Sequence, residues 1–119
     1  MFFSIRPPSS KEPPELPEEF RHLNLLLRST YPQVRRRTAE ILGRLKDPRV
    51  VPFLLNVLHD EDLEVRKAII AALGEIRDRR AVEPLVAMVQ DINQPTRREA
   101  ARALRKIGES PSPNGIEGG

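Results

Sequence analysis

The sequence predicts an all-α fold, a short solenoid of about six helices, and three observations predict it. The middle of the chain repeats every 31 residues without an insertion, each repeat carries two apolar runs at helical spacing, and the connections hold Asp or Asn where helices start. At that spacing Val34, Val65 and Thr96 share a column, as do Arg35, Arg66 and Arg97, and Leu42, Leu73 and Leu104. Leu45, Ile76 and Ile107 form another column, Gly43 pairs with Gly74, and Val51, Leu54, Leu58 and Asp60 pair with Val82, Leu85, Val89 and Asp91. One interval earlier, Phe20, Leu23 and Leu27 fall under Val51, Leu54 and Leu58, so residues 18–29 are the second half of a truncated repeat.

Taken in order, the first predicted helix spans 18–29 and the second spans 32–45 by its match to 63–76. The third, 48–59, opens on Asp47-Pro48, a carboxylate at the N-cap followed by proline where the missing N–H has no partner to lose. In the fourth, 63–76, Asp62 is the cap and Val65, Ile69, Ala72, Leu73 and Ile76 fall on one face at 3.6 residues per turn. The fifth, 79–90, starts from Asp78 and aligns Val82, Leu85, Val86 and Val89. The sixth, 94–108, is capped by Asn93, tolerates Pro95 in its first turn and presents Ala100, Ala101, Ala103, Leu104 and Ile107. The repeat domain is thus 18–108: a half repeat 18–29, repeats 32–59 and 63–90, and a half repeat 94–108. Residues 1–17, with five prolines and few apolar residues beyond the first five, read as a Pro-rich flexible arm, and 109–119 as a disordered tail.

Composition narrows the chemistry. The 119 residues include no cysteine, which excludes a disulfide framework and thiolate metal sites. Aromatics make up only 4%, so the core rests on Leu, Ile, Val and Ala. The start Met1-Phe2-Phe3-Ser4-Ile5-Arg6 is stopped by Arg6 and Pro7-Pro8, and with no spanning segment or secretory core a cytoplasmic location is expected. His22 and His59 are the only histidines, lie a helix pair apart and have no carboxylate at ligand spacing, and no glycine-rich loop follows a strand. No catalytic constellation, metal or cofactor is expected.

The segment Asp62-Leu63-Glu64-Val65-Arg66-Lys67-Ala68, through Ala71-Ala72-Leu73-Gly74-Glu75-Ile76 to Asp78 and Ala81-Val82-Glu83-Pro84-Leu85, resembles the HEAT-like repeat of phycobilisome-lyase type. The resemblance covers 18–108 and implies a superhelix of paired helices. Repeats of this kind occur in bilin lyase subunits, phycobilisome-degradation factors and regulatory scaffolds, so they specify fold more than task. Tyr31 stands in the Asp62 column, Phe53 in the Pro84 column and Arg105 in the Gly43 and Gly74 column, while Lys46 and Arg77 replace the family's glycine after the last apolar residue. In such repeats the arginine of Arg35, Arg66 and Arg97 forms a structural ladder, bridging neighbours through acidic loop residues such as Asp60, Asp62 and Asp91. The alternative is an electropositive stripe of Arg35, Arg36, Arg37, Arg66, Lys67, Arg97 and Arg98 that meets nucleic-acid phosphates or an acidic protein. Carboxylates interspersed through the middle repeat, and too few aromatics for base stacking, argue against nucleic acid.

In a stacked solenoid the second helices line the concave side. Removing their core positions leaves three columns there: His22, Phe53 and Pro84; Leu25, Asn56 and Ala87; Arg28, His59 and Gln90. Leu25, Arg28, Phe53, Asn56, His59 and Ala87 are the expected partner-binding residues, with Phe53 and Leu25 as apolar anchors beside Arg28. The expected function is a non-catalytic protein-interaction scaffold or assembly factor; an accessory subunit of a bilin lyase or phycobilisome-turnover system is second, and nucleic-acid backbone binding third. The half repeats at the ends act either as polar caps or as a surface on which one end docks a partner or a second copy of the chain.

Overall fold

A helix pair with one apolar face cannot hide it alone, so the fold is set by how neighbouring pairs stack. The computed structural model describes residues 18–109, which form α1 (Glu18–Leu26), α2 (Pro32–Leu45), α3 (Val51–Asn56), α4 (Leu63–Ile76), α5 (Val82–Met88) and α6 (Gln94–Gly108), with no strand among the described residues. The first helices form one layer in which α2 packs on α4 and α4 on α6, while α1, α3 and α5 lie against α2, α4 and α6. The arm expected over 1–17 and the tail expected from 109 lie outside the described residues, except Glu109, whose N–H closes the last turn of α6.

Short side chains start the helices. The Asp62 carboxylate accepts from the Val65 N–H at 3.1 Å, and the Asn93 side chain from the Thr96 N–H at 3.3 Å. Tyr31 caps nothing with its side chain, and Pro32 supplies the helical φ instead. Lys46 and Arg77 end α2 and α4 in the left-handed region, at φ 52° and 62°, which explains why a glycine suits that column. The second helices are shorter than expected. The Asp47 and Asp78 caps lead into the 3₁₀ turns Pro48–Val50 and Arg79–Ala81, and α-helix runs only from Val51 to Asn56 and from Val82 to Met88. Likewise α1 stops at Leu26 rather than 29.

Those 3₁₀ starts shift the apolar stripes. Ala81 of the 3₁₀ turn and Leu85 and Met88 of α5 are buried, and Val86, expected in the core, is 49% exposed. The expectation for Phe53 is corrected more sharply: it is 4% exposed and belongs to the core with Val50, Val51 and Leu54. The segment 48–56 is the middle one of three second helices and is closed on both flanks. On one side the Arg49 guanidinium lies 5.5 Å over the Phe20 ring, and on the other the Arg80 guanidinium donates to the Pro48 carbonyl at 2.9 Å. A middle helix buries a wider arc, and Phe53 falls inside it. For the same reason Ile70 of the central α4 is fully buried although it lies outside the single face read from the sequence.

The first helices approach closely where side chains are smallest. A Cβ on Gly43 would lie 2.9 Å from the Ala72 Cα, and one on Gly74 would lie 2.9 Å from the Ala103 Cα. Nothing lies within 4 Å of the same position on Gly108. Glu75 ties this layer together on its outer side, pairing with Lys46 of the preceding turn at 3.4 Å and with Lys106 of α6.

The arginine ladder repeats in atomic detail on its own side. Arg35 Nη1 donates to the Ser29 and Thr30 carbonyls at 2.8 and 3.3 Å, Arg66 Nη1 to Asp60 and Glu61 at 2.8 and 3.5 Å, and Arg97 Nη1 to Asp91 and Ile92 at 2.8 and 3.1 Å. Across the repeat boundary the three differ. Arg35 grips the Asp60 carboxylate through Nε at 2.8 Å and Nη2 at 3.0 Å, whereas Arg66 reaches only the Thr96 hydroxyl, at 3.4 Å from both nitrogens. Of the acidic loop residues expected to bridge, Asp60 does so; the Asp91 carboxylate accepts from the Asn93 N–H at 2.8 Å, as Asp60 accepts from the Asp62 N–H, but forms no arginine bridge among the described residues. Of the expected electropositive stripe, Arg35 is buried and Arg66 and Arg97 each spend Nη1 on loop carbonyls, while Arg36, Arg37 and Arg98 stay exposed.

Three outcomes follow from this packing. Gly74→Ala gains ~1 kcal/mol of helix propensity but forces backbone apart, at a cost of ~1–3 kcal/mol, so urea denaturation should show net loss, while Gly108→Ala should be neutral or stabilising. Arg35→Ala should cost ~2–3 kcal/mol, because a charged hydrogen-bond network is cut and Asp60 is left half-buried, against less than ~0.5 kcal/mol for the exposed Arg36→Ala. Finally, the Arg49 and Arg80 side chains hold Asp47 and Asp78 below the usual carboxylate range, and Lys106 does the same for Glu75. Depressed folded-state values add stability above the unfolded pKa that is lost as pH falls through the folded one. The melting temperature should therefore hold near neutrality and drop below about pH 4, with a shallower drop in Asp78→Asn, whose amide keeps the cap.

Candidate functional site

The second helices are short, so each offers few outward positions, and repetition aligns them. Leu25, Asn56 and Ala87 are all exposed, Leu25 at 69%. Arg28, His59 and Gln90 form a second exposed column in the turns that follow α1, α3 and α5. The third column is broken: His22 is exposed and Pro84 half-buried, but Phe53 has left the surface for the core. Of the six residues expected to bind a partner, five remain available on one face and Phe53 does not.

Val86 takes the vacated apolar role. It sits beside Ala87 on α5, and the sequence reading missed it because Val82, Leu85, Val86 and Val89 fit a helical stripe that Met88 in fact completes. The signal lay in Asp78-Arg79-Arg80-Ala81, where an Asp cap closing on the N–H two residues later, at 2.8 Å, marks a 3₁₀ start that resets the phase of the helix. The face is therefore an aliphatic edge at each end, Leu25 and Val86, around Asn56, with polar side chains on its rim.

Among the described residues no three His, Asp or Glu side chains cluster to hold a metal ion, and His22 and His59 stand singly on the surface. No helix among the described residues is long and apolar enough to cross a membrane. A cleft of about 360 Å³ lies on another side, between the starts of α2 and α4, lined by Pro32, Gln33, Arg36, Asp62 and Glu64; it is open and pairs no nucleophile with a base.

No curated protein sequence matches the chain. Among solved structures, human deoxyhypusine hydroxylase, determined with glycerol, superposes with a TM-score of 0.72 at 24% identity, over 78% of this chain and 33% of the hydroxylase, a likeness of fold. The complex of CpcE and CpcF of phycocyanin lyase from Nostoc sp. PCC7120 superposes with a TM-score of 0.68 at 25% identity, over 88% of this chain and 42% of the matched one. The chain thus spans about a third of the one and about two fifths of the other. A family model for HEAT repeats matches residues 21–105, and with most of its length inside that match this protein belongs to the HEAT-repeat family.

Proposed function

We propose that this chain is a non-catalytic protein-interaction scaffold or assembly factor, and that it holds a protein partner on the outward face of α1, α3 and α5. The observation that carries this reading is the column of Leu25, Asn56 and Ala87, exposed on three successive second helices and free of any packing role. Leu25, 69% exposed at one end of the face, and Val86, 49% exposed at the other, give a partner apolar area to cover. Arg28, His59 and Gln90 supply donors on the rim, the arrangement of an interface with an apolar centre and a polar edge. Phe53 contributes from below by supporting α3, not by touching the partner.

A second reading, as an accessory subunit of a bilin lyase or phycobilisome-turnover system, draws on the likeness to the phycocyanin-lyase complex. It keeps the same face and replaces a general partner with a chromophore-bearing one. The two separate by spectroscopy: a change in the visible absorption of an added bilin favours the lyase-related role, and an unchanged spectrum favours the scaffold.

The test is to identify the co-purifying protein by crosslinking and then titrate it against surface variants. Leu25→Asp with Val86→Asp should leave stability within about 0.5 kcal/mol and weaken binding by ~10-fold or more, about 1.4 kcal/mol. Phe53→Ala should instead lower stability by ~3–5 kcal/mol. Unchanged affinity in the double variant would remove this face as the binding site.

A further inference from the structure

We infer that the outer face of α6 is a docking surface for an acidic helix of another protein, held along Arg98, Arg102 and Arg105 and by the unspent side of Arg97. The face is distinct from that of the second helices. It occupies the place where the stack would continue: α4 covers α2, α6 covers α4, and in both cases the covering object is a helix. In α4 the residues under that cover, Ile70 and Leu73, are 0% exposed, whereas their counterparts in α6, Ala101 and Leu104, are only half-buried.

Charge tells what is missing there. Arg97 spends Nη1 on two loop carbonyls, but its Nε and Nη2, the pair that in Arg35 grips the Asp60 carboxylate, have no partner among the described residues. Arg98, Arg102 and Arg105 are exposed, sit at i, i+4 and i+7 on one side of the helix, and form no ion pair among the described residues. The earlier helices differ: Arg36 and Arg37 both face Glu40, Lys67 faces Glu64, and Lys46 faces Glu75. Of the first helices before it, only α2 leaves an exposed arginine, Arg44, without an ion pair among the described residues, whereas α6 leaves three on one side. Three guanidiniums spread over about 10 Å of helix match carboxylates at the same spacing on a second helix. Ala101 and Leu104 between them and Arg97 give an apolar seam, which a helix covers and a phosphate backbone does not.

A second copy does not fit this face in the register of the repeats. Arg105 fills the column of Gly43 and Gly74, where even a Cβ would fall 2.9 Å from the next helix. The copy would bring Ser29, not a carboxylate, to the open side of Arg97, because Ser29 lies one interval before Asp60. The register that joins Glu75 to Lys106 would bring Arg44 of the copy against Lys106, a like charge. The occupant is therefore an acidic helix from a different protein.

The probe is a fluorescein-labelled helical peptide of about 15 residues with Glu at successive i, i+4 and i+7 positions beside an Ala/Leu seam. By anisotropy, Arg98→Gln/Arg102→Gln/Arg105→Gln should weaken binding by ~10-fold or more, and the charge-matched Arg36→Gln/Arg37→Gln/Arg79→Gln by less than about two-fold. In the unsubstituted chain, NMR amide shifts on peptide addition should concentrate at residues 97–108, a result that stands even if the triple variant fails to fold. Equal weakening in the two triple variants, shifts centred on the second helices or absent altogether, or generic duplex DNA binding more tightly than the peptide at the same salt would each overturn the proposal.

Discussion

Everything in this structure depends on the distance between successive first helices. The apolar stripe of one helix pair is hidden only by the next pair, and the interval is fixed by Gly43 on Ala72 and Gly74 on Ala103, contacts with no space for another carbon. At that separation Ile69, Ile70 and Leu73 of α4 lose all contact with water. The same spacing sets which loop faces which arginine and leaves Glu75 within reach of lysines from both neighbours. With no tryptophan and with Phe20 and Phe53 as its buried aromatics among the described residues, both in the layer of second helices, the layer of first helices relies on close backbone approach rather than on bulky aromatic side chains.

The arginine ladder divides its labour between two tasks that the repeat usually merges. Donation from Nη1 to the carbonyls of the preceding turn is invariant across the three copies and fixes the local bend into each first helix. The other edge of the guanidinium, which joins one repeat to the next, is strong at Arg35, weak at Arg66 and open at Arg97. Thr96, standing in the column of Val34 and Val65, is the cause of the change at Arg66: its hydroxyl lies where the arginine can reach it, so a neutral acceptor replaces a carboxylate. A fork against a half-buried carboxylate resists separation more than a long contact to a hydroxyl, so the boundary between the second and third first-helices opens more easily than the one before it.

Repetition made most of this legible. The boundaries of α2 and α4 match those expected, because the spacing of Val65, Ile69 and Leu73 and the Asp62 cap agree with each other. The second helices were read less well for one reason. Asp47 and Asp78 close 3₁₀ turns, and periodicity at 3.6 residues carries no warning of a phase change within the first turn. From that omission follows the error at Val86, which periodicity puts in the core and the structure leaves exposed. Phe53 also shows what no column alignment contains, namely that a residue in the middle of a stack is enclosed from both sides while its counterparts His22 and Pro84, nearer the ends, are not.

The departures from the repeat are also where binding capacity resides. A position that every copy must share is occupied by packing, as Leu42, Leu73 and the Nη1 side of each ladder arginine are, and has nothing left to offer a partner. Columns free to vary, such as Leu25, Asn56 and Ala87, carry no structural load and so can be fitted to an external surface at little cost in stability. The last helix extends the same logic. Arg105 in a glycine column obstructs another repeat of the same kind, and it does so with a side chain whose charge attracts a different one. One residue thus both disfavours a like surface packed in the register of the repeats and favours an opposite charge on what binds there.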